Sequence, residues 1–180
     1  MTVAFAVPDV IVARAQAGDE AALETLYRAF ETPVYNLARR MLRRPEDAED
    51  VLQETFLEVV RNIKQYRGEG HLWGWVRRIA STKALMRIRR DSVRATEPLD
   101  DEPGGPGGRA MHVGANLDLE RAFEHLSEMS RAVVWLHDVE GYTHEEIAEQ
   151  MGRSVSFSKS QLARAHARLR RMLSDVGGAP

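Results

Sequence analysis

The stretch GYTHEEIAEQMGRSVSFSKSQLARAHARLRRML, residues 141–173, decides the fold class. Thr143 and Glu146 stand at capping-box spacing, where a hydroxyl accepts the amide three residues on and a carboxylate returns the bond. The helix they open is short, with Ile147, Ala148 and Met151 as its apolar face. Gly152 supplies a turn and Ser154 can cap again. A last helix then runs to about Leu173 with Leu162, Ala165, Leu169 and Met172 inward. Short helix, glycine turn and longer basic helix make a helix-turn-helix, whose second helix suits the major groove of duplex DNA.

Working outward, Leu119, Phe123 and Leu126 share one helical face, and Ser127 can cap a helix that buries Val133, Val134 and Leu136 before Gly141 ends it. Near the start, a short helix over Val10 to Ala17 is followed by Gly18 and by Asp19, an N-cap for a long helix. The stripe of that helix is Leu23, Leu26, Tyr27, Phe30, Val34, Leu37 and Met41. Pro45 suits a first helical position, with Glu46 and Asp47 facing the positive end of the helix dipole. Val51, Leu52, Phe56, Val59, Val60 and Ile63 form the next stripe, and Arg67-Gly68-Glu69-Gly70 breaks it. Another helix runs from near Leu72 to about Arg90 through Trp75, Ile79 and Ile88. No alternating strand pattern occurs, so the chain reads as all-α.

From Asp91 to Asn116, prolines, glycines and acids replace large apolar residues. Such a stretch buries too little surface to offset its ordering entropy, and a coil of this length spans roughly 25–30 Å. The expected organisation is two small helical domains, residues 1–92 and 117–180, joined by a flexible acidic linker over 93–116.

Composition narrows the class. The chain has 180 residues, no cysteine, and apolar and charged fractions of 43% and 29%, which fit a soluble globular protein. No run is long and apolar enough for a bilayer, and the first ten residues lack a basic segment and cleavage site, so a cytoplasmic protein without membrane insertion is expected. The net charge of −2 conceals segregation. Glu46 to Glu58 holds six acids and no base; Arg77 to Arg94 holds seven bases against Asp91 alone; Arg153 to Arg171 holds six bases and no acid. An acidic helix suits a basic protein partner, and the basic helices suit phosphate. The six histidines show no paired ligand spacing, and no nucleophile–base pair or phosphate loop is visible, so neither an enzyme nor a cofactor is expected.

Four segments carry a resemblance. Ala15-Gln16-Ala17-Gly18-Asp19-Glu20-Ala21-Ala22-Leu23 looks like the opening of an extracytoplasmic-function (ECF, group IV) RNA polymerase sigma factor. Asp47-Ala48-Glu49-Asp50-Val51-Leu52-Gln53-Glu54-Thr55-Phe56 is similar to the family's polymerase-binding helix. Tyr66-Arg67-Gly68-Glu69, with Trp75 and Arg78-Ile79-Ala80, resembles its promoter-melting segment, and residues 138–149 match the first half of its helix-turn-helix. The resemblance implies two domains, sigma regions 2 and 4, for the minus-ten and minus-thirty-five elements. It implies as partners core RNA polymerase (the largest-subunit clamp and the flap), promoter DNA and, in many relatives, an anti-sigma factor.

Residue by residue, it places Asp47, Asp50, Val51, Gln53, Glu54 and Phe56 at the polymerase. Arg67, Glu69, Gly70 and His71 fall in the base-capture loop, Arg77, Arg78, Lys83 and Arg87 along the strand backbone. Opened bases stack on aromatics for about 1–3 kcal/mol each. Trp75 is expected in the core. Trp73, where the family is usually polar, is expected exposed, against a base or another protein. Arg153, Ser156, Phe157, Lys159, Ser160, Ala163, Arg164 and Arg168 are the minus-thirty-five candidates, the earlier ones towards bases and the later arginines towards phosphates.

Departures from the pattern are Leu72, Gly74, Ser81-Thr82-Lys83 and Met86. Ser158 occupies a usually apolar position and Phe157 a usually small polar one; either a shifted helix start buries Phe157, or Phe157 meets a thymine methyl. The competing reading is a helix-turn-helix repressor or activator that works without the polymerase core, a dimer on palindromic DNA. It leaves the acidic helix and the glycine-aromatic-basic segment unexplained.

Overall fold

The structure, a computed structural model, describes residues 7–68, 70–94 and 115–177. All regular structure among the described residues is helical. The chain divides into two compact units, Met1–Ala84 and Leu85–Pro180. The division falls inside a helix, ahead of the boundary that composition suggests.

In the first unit, α1 (Asp9–Gln16) leads through Gly18 to α2 (Glu20–Met41). Asp19 caps α2, its carboxylate accepting from the amides of Ala21 and Ala22 at 3.0 and 3.2 Å. Arg14 pairs with the same carboxylate at 2.6 Å. These bonds together hold the Asp19 carboxyl below its ordinary range, Arg14 having the largest effect. Pro45 opens α3 (Pro45–Asn62), and a 3₁₀ turn, Ile63–Gln65, follows. Leu26, Phe30, Val34 and Met41 of α2 are buried with Val51, Phe56 and Val59 of α3, a core that aligns the two helices. Val60, expected on that stripe, is instead 50% exposed, because the buried face of α3 passes through Thr55 and Val59 one position earlier. After the loop, α4 spans Leu72–Arg94, reaching four residues beyond the expected Arg90.

The second unit contains α5 (Ala115–Glu124), α6 (Glu128–Val134), a π-helical turn (Trp135–Val139), α7 (His144–Met151) and α8 (Val155–Gly177). Ser127 caps α6, its hydroxyl accepting from the Ser130 amide at 3.2 Å. Leu126, Val133, Leu136, Ile147, Leu162, Ala165 and Leu169 form the core. Leu119 is 46% exposed, so it leaves the face assigned to it; Phe123 carries the packing, edge-on to Trp135 with ring centroids 6.4 Å apart. The first helix of this unit begins two residues before the expected Leu117, and α4 takes up Asp91 to Arg94. The rest of the expected linker lies outside the described residues.

Candidate functional site

On α3 the acidic flank is narrower than its sequence suggests. Asp50 and Gln53 are exposed and Glu54 is half-buried. Asp47 is only 5% exposed, and Val51 and Phe56 are buried as well. These three pack inward, Phe56 with part of its ring turned to the surface. Beside the flank lies a groove of about 450 Å³ lined by Tyr27, Gln53, Phe56, Leu57, Val60 and Arg61. The rings of Tyr27 and Phe56 meet at 4.7 Å. Of these residues only Gln53 and Phe56 were expected at a site. The missed signal is Leu57 and Val60, two apolar residues three apart on the otherwise charged side of α3.

The loop between the 3₁₀ turn and α4 is pinned at both ends. Gly68 and Gly70 take φ of 74° and 81°, left-handed values that other residues adopt only with strain. The Gln16 side-chain amide donates to the carbonyls of Ile63 and Tyr66 at 3.1 and 2.8 Å. The Tyr66 hydroxyl donates to the Gly70 carbonyl at 2.7 Å. Burial, with Asp9 nearby, raises the Tyr66 phenol above its ordinary range and keeps it a neutral donor. A cavity of about 470 Å³ opens here, lined by Asp9, Val12, Gln16, Tyr66, Arg67 and His71 among others. Helix α1 thus walls the loop; sequence reasoning placed Arg67, Gly70 and His71 there but missed α1. Glu69 lies outside the described residues.

Neither tryptophan takes its expected setting. Trp73 is half-buried, stacked on the fully buried Phe30 with centroids 5.7 Å apart and planes 23° off parallel, so it is not an exposed platform. Trp75 is also half-buried rather than core, its ring 5.7 Å from that of Tyr66 beside the loop. A helix register that places Trp73 over α2 must turn Trp75 towards the loop, since two residues on a helix lie about 200° apart. Along α4, Arg78 is exposed and Arg77 half-buried. Lys83 lies 3.4 Å from Glu58, and Arg87 lies 3.7 Å from Asp91. Part of the basic charge expected at a strand backbone is therefore engaged within the protein.

In the second unit the capping box is closed. The Thr143 amide donates to Glu146 at 2.8 Å and the Glu146 amide to Thr143 Oγ1 at 3.2 Å. Gly152 ends α7 in the left-handed conformation, φ 60°. Ser154 then caps α8 in the expected register, its Oγ accepting the Phe157 amide at 3.1 Å. No shifted start occurs. Phe157 is half-buried beneath the Arg153 guanidinium, 5.5 Å from its ring centroid. Ser156, Lys159, Ser160, Ala163 and Arg164 are exposed along α8, and Arg168 is half-buried. Ser158 is fully buried, with His144 Nδ1 3.0 Å from its Oγ.

That contact opens onto a polar cluster. The His137 and His144 rings stack at 4.5 Å. Asp138 takes Nδ1 of His137 at 2.8 Å and Nε2 of His166 at 2.6 Å. Burial alone would raise the Asp138 carboxyl, but the two imidazoles outweigh it and hold it below its ordinary range. Among the described residues, no three such side chains converge to hold a metal ion. Spacing gives no hint of the cluster, because its members come from the π turn, α7 and α8.

Two helical units, an acidic-flanked helix with an apolar groove and a helix-turn-helix with an exposed basic face together define a transcription initiation factor of the sigma class. Residues 26–94 match the Sigma-70 region 2 family and residues 116–169 match Sigma-70, region 4. The chain is 34% identical over 157 residues to the ECF RNA polymerase sigma factor SigM of Mycobacterium tuberculosis, covering 87% of this chain and 80% of that one. It is 28% identical to the ECF RNA polymerase sigma-E factor of Haemophilus influenzae, covering 86% and 89%. The fold is shared with the sigma factor RpoE of Bartonella quintana, solved in complex with the anti-sigma factor NepR; the TM-score is 0.57 at 18% identity, over 84% of this chain and 96% of that one. The chain belongs to the ECF RNA polymerase sigma factors, alternative sigma factors that direct RNA polymerase to initiate at specific promoters. The reading as a polymerase-independent repressor is not favoured.

Proposed function

We propose that the two units divide promoter recognition between them along the boundaries read from sequence, 1–92 for the minus-ten element and melting, 117–180 for the minus-thirty-five element, with 93–116 as tether. Asp50, Gln53 and Glu54 dock on the largest-subunit clamp of core polymerase; Asp47, Val51 and Phe56 fix the helix that carries them. Arg67, Gly70 and His71, walled by α1, receive an unstacked base, with Glu69 as a further loop residue. Arg77, Arg78, Lys83 and Arg87 follow the strand backbone, Lys83 and Arg87 after exchanging their internal partners for phosphate. Arg153, Ser156, Lys159, Ser160, Ala163 and Arg164 face the upstream duplex, and Arg168 a phosphate. The second unit also meets the polymerase flap.

The observation that carries this reading is segregated exposed charge, Asp50 and Glu49 on α3 against Lys159 and Arg164 on α8. The protein acts by binding and not as an enzyme, needs no cofactor, works in the cytoplasm, and is held in check by an anti-sigma factor, as the solved complex of RpoE with NepR suggests for a protein of this fold. Among the described residues no helix is long and apolar enough to cross a membrane. Run-off transcription with core polymerase over a genomic promoter library is the test: discrete transcripts dependent on the chain support the reading, and their absence overturns it.

A further inference from the structure

We propose that His144 and Ser158 are positioning residues that seat the recognition helix α8 on α7, and that protonation of His144 loosens this seat and weakens binding to upstream promoter DNA. The inference rests on α8 being the DNA-reading helix. Ser158 lies on the first turns of α8, fully buried, where a hydroxyl without a partner is costly. His144 Nδ1 is the group that meets it, at 3.0 Å. A residue that stands at a usually apolar position is thus accommodated by one imidazole from the neighbouring helix.

The surroundings favour that imidazole as the neutral ring. His144 is the first residue of α7, at the positive end of the helix dipole. From the π turn it faces the stacked His137 and, next to it, Asp138; from α8 it faces Lys159, with His166 reaching Asp138; Glu145 lies on its own helix. Asp138 is already shared by two imidazoles and is a poor counter-ion for a third. Burial first, then His137 and Lys159, hold His144 below its ordinary range, and Glu145 and Asp138 do not outweigh them. In the tautomer that leaves Nδ1 bare, the buried Ser158 hydroxyl donates to it; a protonated Nδ1 can only donate, so that hydroxyl must give up the bond and turn its proton towards its own helix. The new charge also sits beside Lys159, on the end of α8 that carries Ser156 and Ser160. Added positive charge by itself strengthens DNA binding, so a loss of affinity on acidification runs against the electrostatic trend and is diagnostic.

The test uses the full chain. Amide exchange of residues 155–165 is followed from about pH 7.5 to about pH 5.5, the range in which imidazoles charge. In parallel, holoenzyme affinity is measured for the duplex it selects at the higher pH from a random pool. Wild type is expected to lose protection on α8 and roughly fivefold in affinity at the lower pH, the low end of ordinary coupling between sites. His144→Gln, which bonds Ser158 without titrating, and Ser158→Ala, whose methyl suits the buried site, are each expected to show a flatter profile. Equal profiles for wild type and both variants, or α8 protection unchanged with pH, overturn the inference. Lys159→Ala/Arg164→Ala in the same assay keeps the two readings apart: if it binds like wild type at the higher pH, or if no duplex is selected, the DNA-reading role of α8 fails, while the exchange arm still decides the coupling.

Discussion

The Gln16 side-chain amide donates to the Tyr66 carbonyl at 2.8 Å, across fifty residues of chain. A helix at the start of the protein thereby holds the loop that precedes α4. Gln16→Ala leaves the Ile63 and Tyr66 carbonyls without this donor, an expected destabilisation of about 1–3 kcal/mol or less where water reaches them. Faster amide exchange over residues 66–71 and reduced open-complex formation, with core-polymerase affinity unchanged, are the expected readouts.

On α3, the exposed Asp50 and the buried Asp47 separate two kinds of effect. Asp50→Lys is expected to lower affinity for core polymerase by at least about 2 kcal/mol with the melting temperature unaltered, because it reverses charge at a docking flank. Asp47→Lys should instead unfold the first unit, since it forces a longer side chain of opposite charge into a nearly closed site built around a carboxyl group. Titration calorimetry against core enzyme, with circular dichroism for stability, distinguishes the two.

For α8, replacing Lys159 and Arg164 together with Ala is expected to cost upstream-element binding roughly 2–6 kcal/mol if each makes a bidentate base contact, and less if they meet phosphate alone. The dependence of log affinity on log salt should also flatten by nearly one for each phosphate that is no longer neutralised. Footprints across a salt series give both numbers.

The second unit is expected to lose stability in acid. His144 is held below its ordinary value of 6.5, so the unfolded chain takes up this proton first as pH falls. The stabilisation is present above that value and is lost as pH falls towards the folded one. Asp138, also lowered, contributes in the same sense in the carboxylate range: full stabilisation above the ordinary value of 3.8, loss below it. Urea unfolding at a series of pH values should show two separate declines, the upper one absent in His144→Gln.

Removing the ring beneath Trp73 tests the first core. Phe30 is fully buried, and Phe30→Ala is expected to cost about 3–5 kcal/mol through lost transfer energy and the cavity left behind. Denaturant unfolding followed by tryptophan fluorescence reads both the stability and the changed environment of Trp73.

Features written in local chemistry were legible beforehand. Asp19, Ser127, Ser154 and the Thr143–Glu146 pair cap helices because the bonds they make span two or three residues. Positions whose burial depends on a neighbouring helix were not. Periodicity defines a face but not which edge of it turns inward, so Val60 and Leu119 proved exposed and Asp47 buried. Trp73 and Trp75 both proved half-buried for the same reason, once Phe30 fixed the rotation of α4. The histidine cluster stayed hidden because it is drawn from elements up to 29 residues apart, His137 to His166.

The π-helical turn gives the second unit a register that no ordinary helix supplies. Its Glu140 amide reaches back five residues to the Trp135 carbonyl at 3.0 Å, accommodating one residue more than an α-turn would. Excising that extra residue would rotate the downstream chain by about 100° and swing the acid away from the imidazole of α8. One residue of helical register therefore governs whether this carboxylate can grip the last helix through His166.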